Sequence, residues 1–134
     1  MNWSLRLEGY WTVRGTHFSP SAAERATGMP FTTKHEPGEL GSRGRYRGVP
    51  MPDGYASRDF SVPPETEDLV AANSDLLAEL ERCLPHYRAA GALHVALHYN
   101  VCYSSQCNME FSPALLRRLA ALDVVVALTC YPFE

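Results

Sequence analysis

No apolar run in this chain of 134 residues approaches the ~20 residues needed to cross a bilayer. The opening MNWSLRLEGYW carries charge where the apolar region of a secretory signal would be unbroken. A cytoplasmic protein with no membrane partner is the expectation. Cysteine is scarce, at Cys83, Cys102, Cys107 and Cys130, and in a reducing compartment these are thiols by default. There is no Gly-x-Ser-x-Gly elbow, no P-loop and no dinucleotide fingerprint, which removes the commonest signatures of acyl, phosphoryl and hydride transfer. Internal repeats and low-complexity tracts are also missing. A basic excess is lacking as well: the formal net charge is −3 and the pI about 5.9, whereas a nucleic-acid binder carries clustered basic charge and a high pI. Nucleic acid is not an expected partner.

What remains is the composition of an ordinary globular domain, 46% apolar and 20% charged, at a length that suits one core. A single domain over 1–134 is expected. The charge is uneven. Residues 1–62 hold eight basic and six acidic side chains, or +2, and residues 63–134 hold four and nine, or −5.

Hydrophobic periodicity gives the elements. Trp3, Leu5 and Leu7 alternate with Ser4, Arg6 and Glu8, which predicts a first strand. In FSPSAAERATGMP, Ser19 can cap a helix, Pro20 suits its first position, Gly28 its end, and Pro30 stops it, so a helix over 20–27 follows. Residues 31–57 are rich in Gly and Pro and predict a long loop with at most one short strand. There Arg43, Arg45 and Arg47 alternate, and on an extended chain they would point one way, towards phosphate or carboxylate groups.

Tyr55 to Val62 predicts a strand closed by Pro63 and Pro64. From Thr66 to Cys83, Leu69, Leu76, Leu77, Leu80, Cys83 and Leu84 recur at helical spacing, with Glu67 and Asp68 at the positive end of the helix dipole. The opposite face carries Glu67, Asp68, Ala71, Ser74, Asp75 and Arg82 and is acidic on balance. Leu93, Val95, Leu97, Tyr99 and Val101 alternate with His94, Ala96, His98 and Asn100, giving a strand over 93–101. Ser112 and Pro113 open a helix over 113–122 with a stripe of Leu115, Leu116, Leu119 and Leu122. Residues 124–131, VVVALTCY, are apolar on both parities, which predicts a central strand covered on both sides. The expected fold class is α+β: a mixed, largely antiparallel sheet of four or five strands with three helices packed mainly on one face.

The stretch LHVALHYNVCYSSQC invites a metal or redox reading. On a strand, however, His94 and His98 stand roughly 13 Å apart, too far to share one ion. Cys102 and Cys107 could clasp an ion only with further ligands. Cys83 and Cys130 fall at apolar positions and are expected in the core. A nucleophilic thiol needs an adjacent base, and His98 lies roughly 13 Å along the strand from Cys102. No metal, no cofactor and no enzyme activity are expected.

The segments LRLEGYW, SPSAAERATGMP and KHEPGEL together resemble the start of the DUF4279 family, a bacterial domain of unknown function. FSPALLRRLAALDVVVALTCY resembles that family's last helix and strand. In this alignment GYWTVRGTH stands as an insertion between strand and helix, and Phe60 takes a strand position that is often Trp. The resemblance spans nearly the whole chain; it implies an α+β fold and a bacterial or phage-borne intracellular protein, and supplies no catalytic residue.

A small domain without a catalytic constellation and with an acidic second half suits covering a basic partner. Nuclease toxins need positive surfaces, and acidic inhibitors capture them by electrostatic steering. The expected function is an immunity protein that neutralises a cognate toxin. Its contact residues would be Glu67, Asp68, Asp75 and Glu79, or the His94 and His98 face with Tyr103. The alternative is a regulatory domain that binds a small anion through Arg43, Arg45 and Arg47.

Overall fold

A computed structural model describes residues 5–61, 69–105 and 109–132. The elements run β1 (Leu5–Gly15), α1 (Pro20–Thr27), β2 (Thr33–His35), a 3₁₀ turn (Gly44–Tyr46), β3 (Gly54–Ser61), α2 (Leu69–Ala89), β4 (His94–Tyr103), α3 (Pro113–Leu122) and β5 (Val125–Pro132). The five strands form one mixed, mostly antiparallel sheet in the order β2-β3-β1-β4-β5. Strand β2 pairs antiparallel with β3, and β4 pairs parallel with β5 across the α3 crossover. This is the α+β class that the alternating helix and strand patterns imply.

The caps behave as their residues dictate. The Ser19 side chain accepts from Ala22 N at the start of α1, and Gly28 closes that helix at φ 71°. The Ser112 side chain accepts from Leu115 N, and α3 ends on Asp123 at φ 56°, a left-handed conformation that Asp tolerates better than most residues.

By contacts the chain divides into two compact units, one of residues 1–10, 60–81 and 96–134, the other of residues 11–59 and 82–95. The first buries Leu7, Leu77, Leu80, Leu97, Tyr99, Val101, Leu115, Leu119 and Leu122. Within it Phe60 lies edge-on to Tyr99, with ring centroids 6.0 Å apart. A Cβ at Gly9 would come within 2.4 Å of the Phe60 ring and 2.6 Å of the His98 carbonyl oxygen, so only glycine lets these strands and that ring close up.

The second unit buries Trp11, Val13, Phe18, Ala23, Phe31, Ala56, Cys83, Leu84 and Tyr87. Trp11 Nε1 donates to the Tyr87 hydroxyl at 3.1 Å, so the two largest side chains of this core satisfy each other's polar atoms. Phe31 packs between Phe18 and Tyr87. Ser19 N donates to Ala90 O, which ties the start of α1 to the end of α2. Gly91, at φ 104°, then turns the chain so closely past His17 that a Cβ would come 2.7 Å from its carbonyl oxygen.

Several expectations are corrected. The first strand does not end near Glu8: β1 continues through GYWTVRG to Gly15, and its alternation persists, with Trp11 and Val13 buried and Arg14 exposed. Helix α2 does not stop at Cys83 but passes through Pro85 to Ala89. The proline is exposed, so the hydrogen bond it cannot make is lost on the solvent side, while Cys83, Leu84 and Tyr87 hold the next turn in the core. Strand β5 is not central but lies at an end of the sheet order, and most of it is exposed. Its β-branched, apolar composition reflects strand propensity, not burial on both faces. Cys130 is accordingly exposed and not a core residue, whereas Cys83 is buried as expected. Leu116 also leaves the stripe of α3 for solvent, because it stands one position past Leu115.

Candidate functional site

The acidic candidates lie on α2. Asp75 is exposed and Glu79, one turn on, is half-exposed, so the helix presents both on one side. The neighbouring turn is committed within the chain: Arg118 of α3 donates through Nε to Glu81 Oε1 at 2.6 Å and through its terminal nitrogens to Ser74 O at 3.1 Å and Ser74 Oγ at 3.4 Å. Glu67 and Asp68 fall outside the described residues.

On β4, His94 is exposed at the strand's start. His98 is half-buried, its ring stacked on Tyr10 at 4.5 Å and 11°. Burial pushes the His98 imidazole below its ordinary range, which favours the neutral form. Strand alternation places Tyr103 on the opposite side of β4 from His94 and His98. The three therefore do not make one patch; the structure instead brings His98 together with Tyr10.

Arg43, Arg45 and Arg47 do not alternate along an extended chain. The segment is pinched by bridges between Leu40 and Pro50 and between Gly41 and Arg47, and Gly44–Tyr46 winds into the 3₁₀ turn. A backbone with three residues per turn fans consecutive side chains around an axis, so the expected common direction is lost. Arg45 turns onto its neighbour, its guanidinium 4.9 Å from the Tyr46 ring centroid and Nη2 donating to the Tyr46 hydroxyl at 2.9 Å.

A cluster that the sequence reading missed lies in the second unit. His35 and Tyr55 are register partners across β2 and β3, and their rings stack at 5.6 Å. Arg14 of β1 sets its guanidinium 5.0 Å from the Tyr55 ring centroid and its Nε 3.4 Å from Asp53 Oδ2. His35 Nε2 stands 3.7 Å from Asp53 Oδ1, beyond hydrogen-bond distance, and is buried with no hydrogen-bond partner among the described residues. Arg14, His35 and Tyr55, from three strands, thus gather in one cluster with Asp53 of the turn before β3. Spacing could not reveal this, since the register of β2 on β3 is what sets His35 over Tyr55. Arg14 is 55% exposed at its side chain, so its pairing with Asp53 adds well under ~1 kcal/mol.

The carboxylates nearby are held by neutral donors and one cation. Lys34 binds Glu24, which also accepts from Phe31 N at 2.8 Å; the Lys34 hydrogen bond, foremost, holds the Glu24 carboxyl below the usual range against its desolvation. Burial opposes ionisation of Glu36, but hydrogen bonds from Ser21 and Ser19 at the start of α1 outweigh it and hold that carboxyl low too. Among the described residues no group of three or more His, Cys, Asp or Glu side chains converges to hold a metal ion. No helix among them is long and apolar enough to cross a membrane.

The chain thus carries an acidic helix face and a charged aromatic cluster on an α+β scaffold. No family model, curated protein or solved structure matches it.

Proposed function

We propose that this chain is a non-catalytic protein-binding domain of the immunity class, which neutralises a toxin by covering a basic surface. The exposed side of α2 carries the reading: Asp75 and Glu79 occupy successive turns of a rigid helix, in the half of the sequence with a net charge of −5. Carboxylates on a helix are held at fixed spacing, so they meet a basic surface without the ordering cost that a loop would incur. Their field speeds encounter with a cationic partner, and salt screens it. Kinship with the DUF4279 domains, resting on the short motifs quoted above, belongs to the same proposal.

The test is co-expression in bacteria with the product of the adjacent reading frame, with survival and the dissociation constant of the purified pair as readouts. The native chain rescues growth, and the double variant Asp75→Lys, Glu79→Lys binds at least about tenfold more weakly, mainly through slower association. An adjacent product that is harmless by itself, or an affinity indifferent to the charge reversal, would sink the idea.

A further inference from the structure

Strand β2 ends at His35 and β3 begins at Gly54, and between them Gly44–Tyr46 is the one regular turn. Connections longer than about 15 residues without helices or strands of their own are uncommon in compact domains and are usually functional. This one is ordered by its own backbone. Gly38 N donates to Met51 O, Met51 N to Glu39 O, Gly41 N to Val49 O and Gly48 N to Gly41 O, so the two halves of the loop lie against each other. Its first half is anchored as well. The Glu36 carboxylate accepts from Ser21 N at the start of α1, and the Glu39 carboxylate accepts from Glu36 N. Yet the loop adds little to the core, since residues 42–45 and 47–50 are all exposed.

The charges within it are divided by role. Glu36 and Glu39 hold the frame, while Arg43, Arg45 and Arg47 form no ion pair among the described residues. Arg45 rests on the neutral Tyr46. Because the 3₁₀ turn fans the three arginines apart, they do not converge on one small anion, as an extended strand would have let them. Guanidinium groups spread over an ordered loop suit carboxylates spread over a partner, each of which one fork can grip. Leu40 and Val49, 63% and 45% exposed on the two halves of the same loop, add apolar contact of the kind a polypeptide returns. Nucleic acid fits less well. Single strands are held by stacking on open aromatic rings, and the loop's one ring, Tyr46, is half-buried with the Arg45 guanidinium over it.

We propose that the loop between β2 and β3 docks an acidic polypeptide segment, its arginines gripping carboxylates and Leu40 and Val49 receiving apolar side chains. The loop is already folded, so binding does not incur the cost of ordering it. This contact is independent of the acidic side of α2, which suits a partner of the opposite sign.

Fluorescence anisotropy at about 10 mM salt, where screening is weak, tests this with two labelled short peptides of equal charge. One is built of glutamate and glycine; in the other, two glycines are replaced by leucine. Both should bind, the leucine-bearing peptide at least about tenfold more tightly, since burying one such side chain suffices for that ratio. The double variant Arg43→Ser, Arg47→Ser should weaken both peptides about tenfold or more, as lost charged contacts at a binding surface do. Leu40→Ser, Val49→Ser should erase the difference between them, and Arg25→Ser, Arg117→Ser, exposed arginines elsewhere, should change neither. All these side chains are exposed, so each variant keeps the native thermal midpoint. Failure of both peptides to bind, an affinity indifferent to Arg43 and Arg47, or an equal loss in the Arg25 and Arg117 variant would overturn the proposal. So would tighter binding of a single-stranded DNA of the same charge than of the leucine-bearing peptide.

Discussion

Trp11 and Tyr87 show how single residues hold the second unit. Both are fully buried, and a buried indole N–H or phenol is costly unless it finds a partner. Their mutual hydrogen bond meets that need across 76 positions of sequence. Burial pushes the Tyr87 hydroxyl far above its ordinary range and the Tyr99 hydroxyl up to about 12, which favours the neutral form of both. Tyr87→Phe removes the acceptor while preserving the ring, and should lower unfolding free energy by about 1–3 kcal/mol in urea titrations. A change within about 0.3 kcal/mol, the scatter of independent sites, would mean that this bond contributes nothing.

Among the elements, α1 and α3 were legible in the sequence to the residue, because their signals are local. Ser19 with Pro20 and Ser112 with Pro113 satisfy the first orphan N–H groups and pre-set the entering backbone, and Gly28 takes the left-handed closing position. Ser112→Ala should therefore cost about 1 kcal/mol, read as a lower thermal midpoint, while Ser112→Asp retains the cap and most of the stability. Helix α2 was legible only in part. A proline normally argues for a stop, yet Pro85 sits on the exposed side and the apolar residues on either side of it draw the helix onward into the core. Strand β5 is legible as a strand but its place in the sheet is not: an apolar strand at the edge and one at the centre read alike, since composition reports propensity and not neighbours.

For the whole molecule, pH acts through groups in both units, and the signs agree. Glu24 and Glu36 have depressed values in the fold, so their contribution to stability is present above the unfolded carboxyl value of 4.5 and is lost as pH falls through the lower folded values. His98 is also pushed down, but it is a base. The unfolded chain binds its proton first, so this contribution is complete above 6.5 and declines as pH falls from there towards the folded value. Acidification should thus weaken the protein in two stages. In denaturant titrations at a series of pH values, His98→Phe, which keeps a ring against Tyr10, should flatten the upper stage alone. Glu36→Gln should flatten the lower stage alone, at some cost to the start of α1. A profile of His98→Phe parallel to that of the native chain would exclude the histidine as the source of the upper stage.

The sequence by itself determined the bounds of α1 and α3, the presence of the main strands, which faces of β1 and α2 are apolar, and that the second half is acidic. These follow from propensity, periodicity and capping, all of which act within a few residues. Only the tertiary structure decided that β5 lies at an edge, that the arginine segment winds into a 3₁₀ turn, and that Arg14, His35, Asp53 and Tyr55 meet. Each of these depends on strand order and register, which are set by contacts between residues far apart in the chain and leave no mark in local spacing.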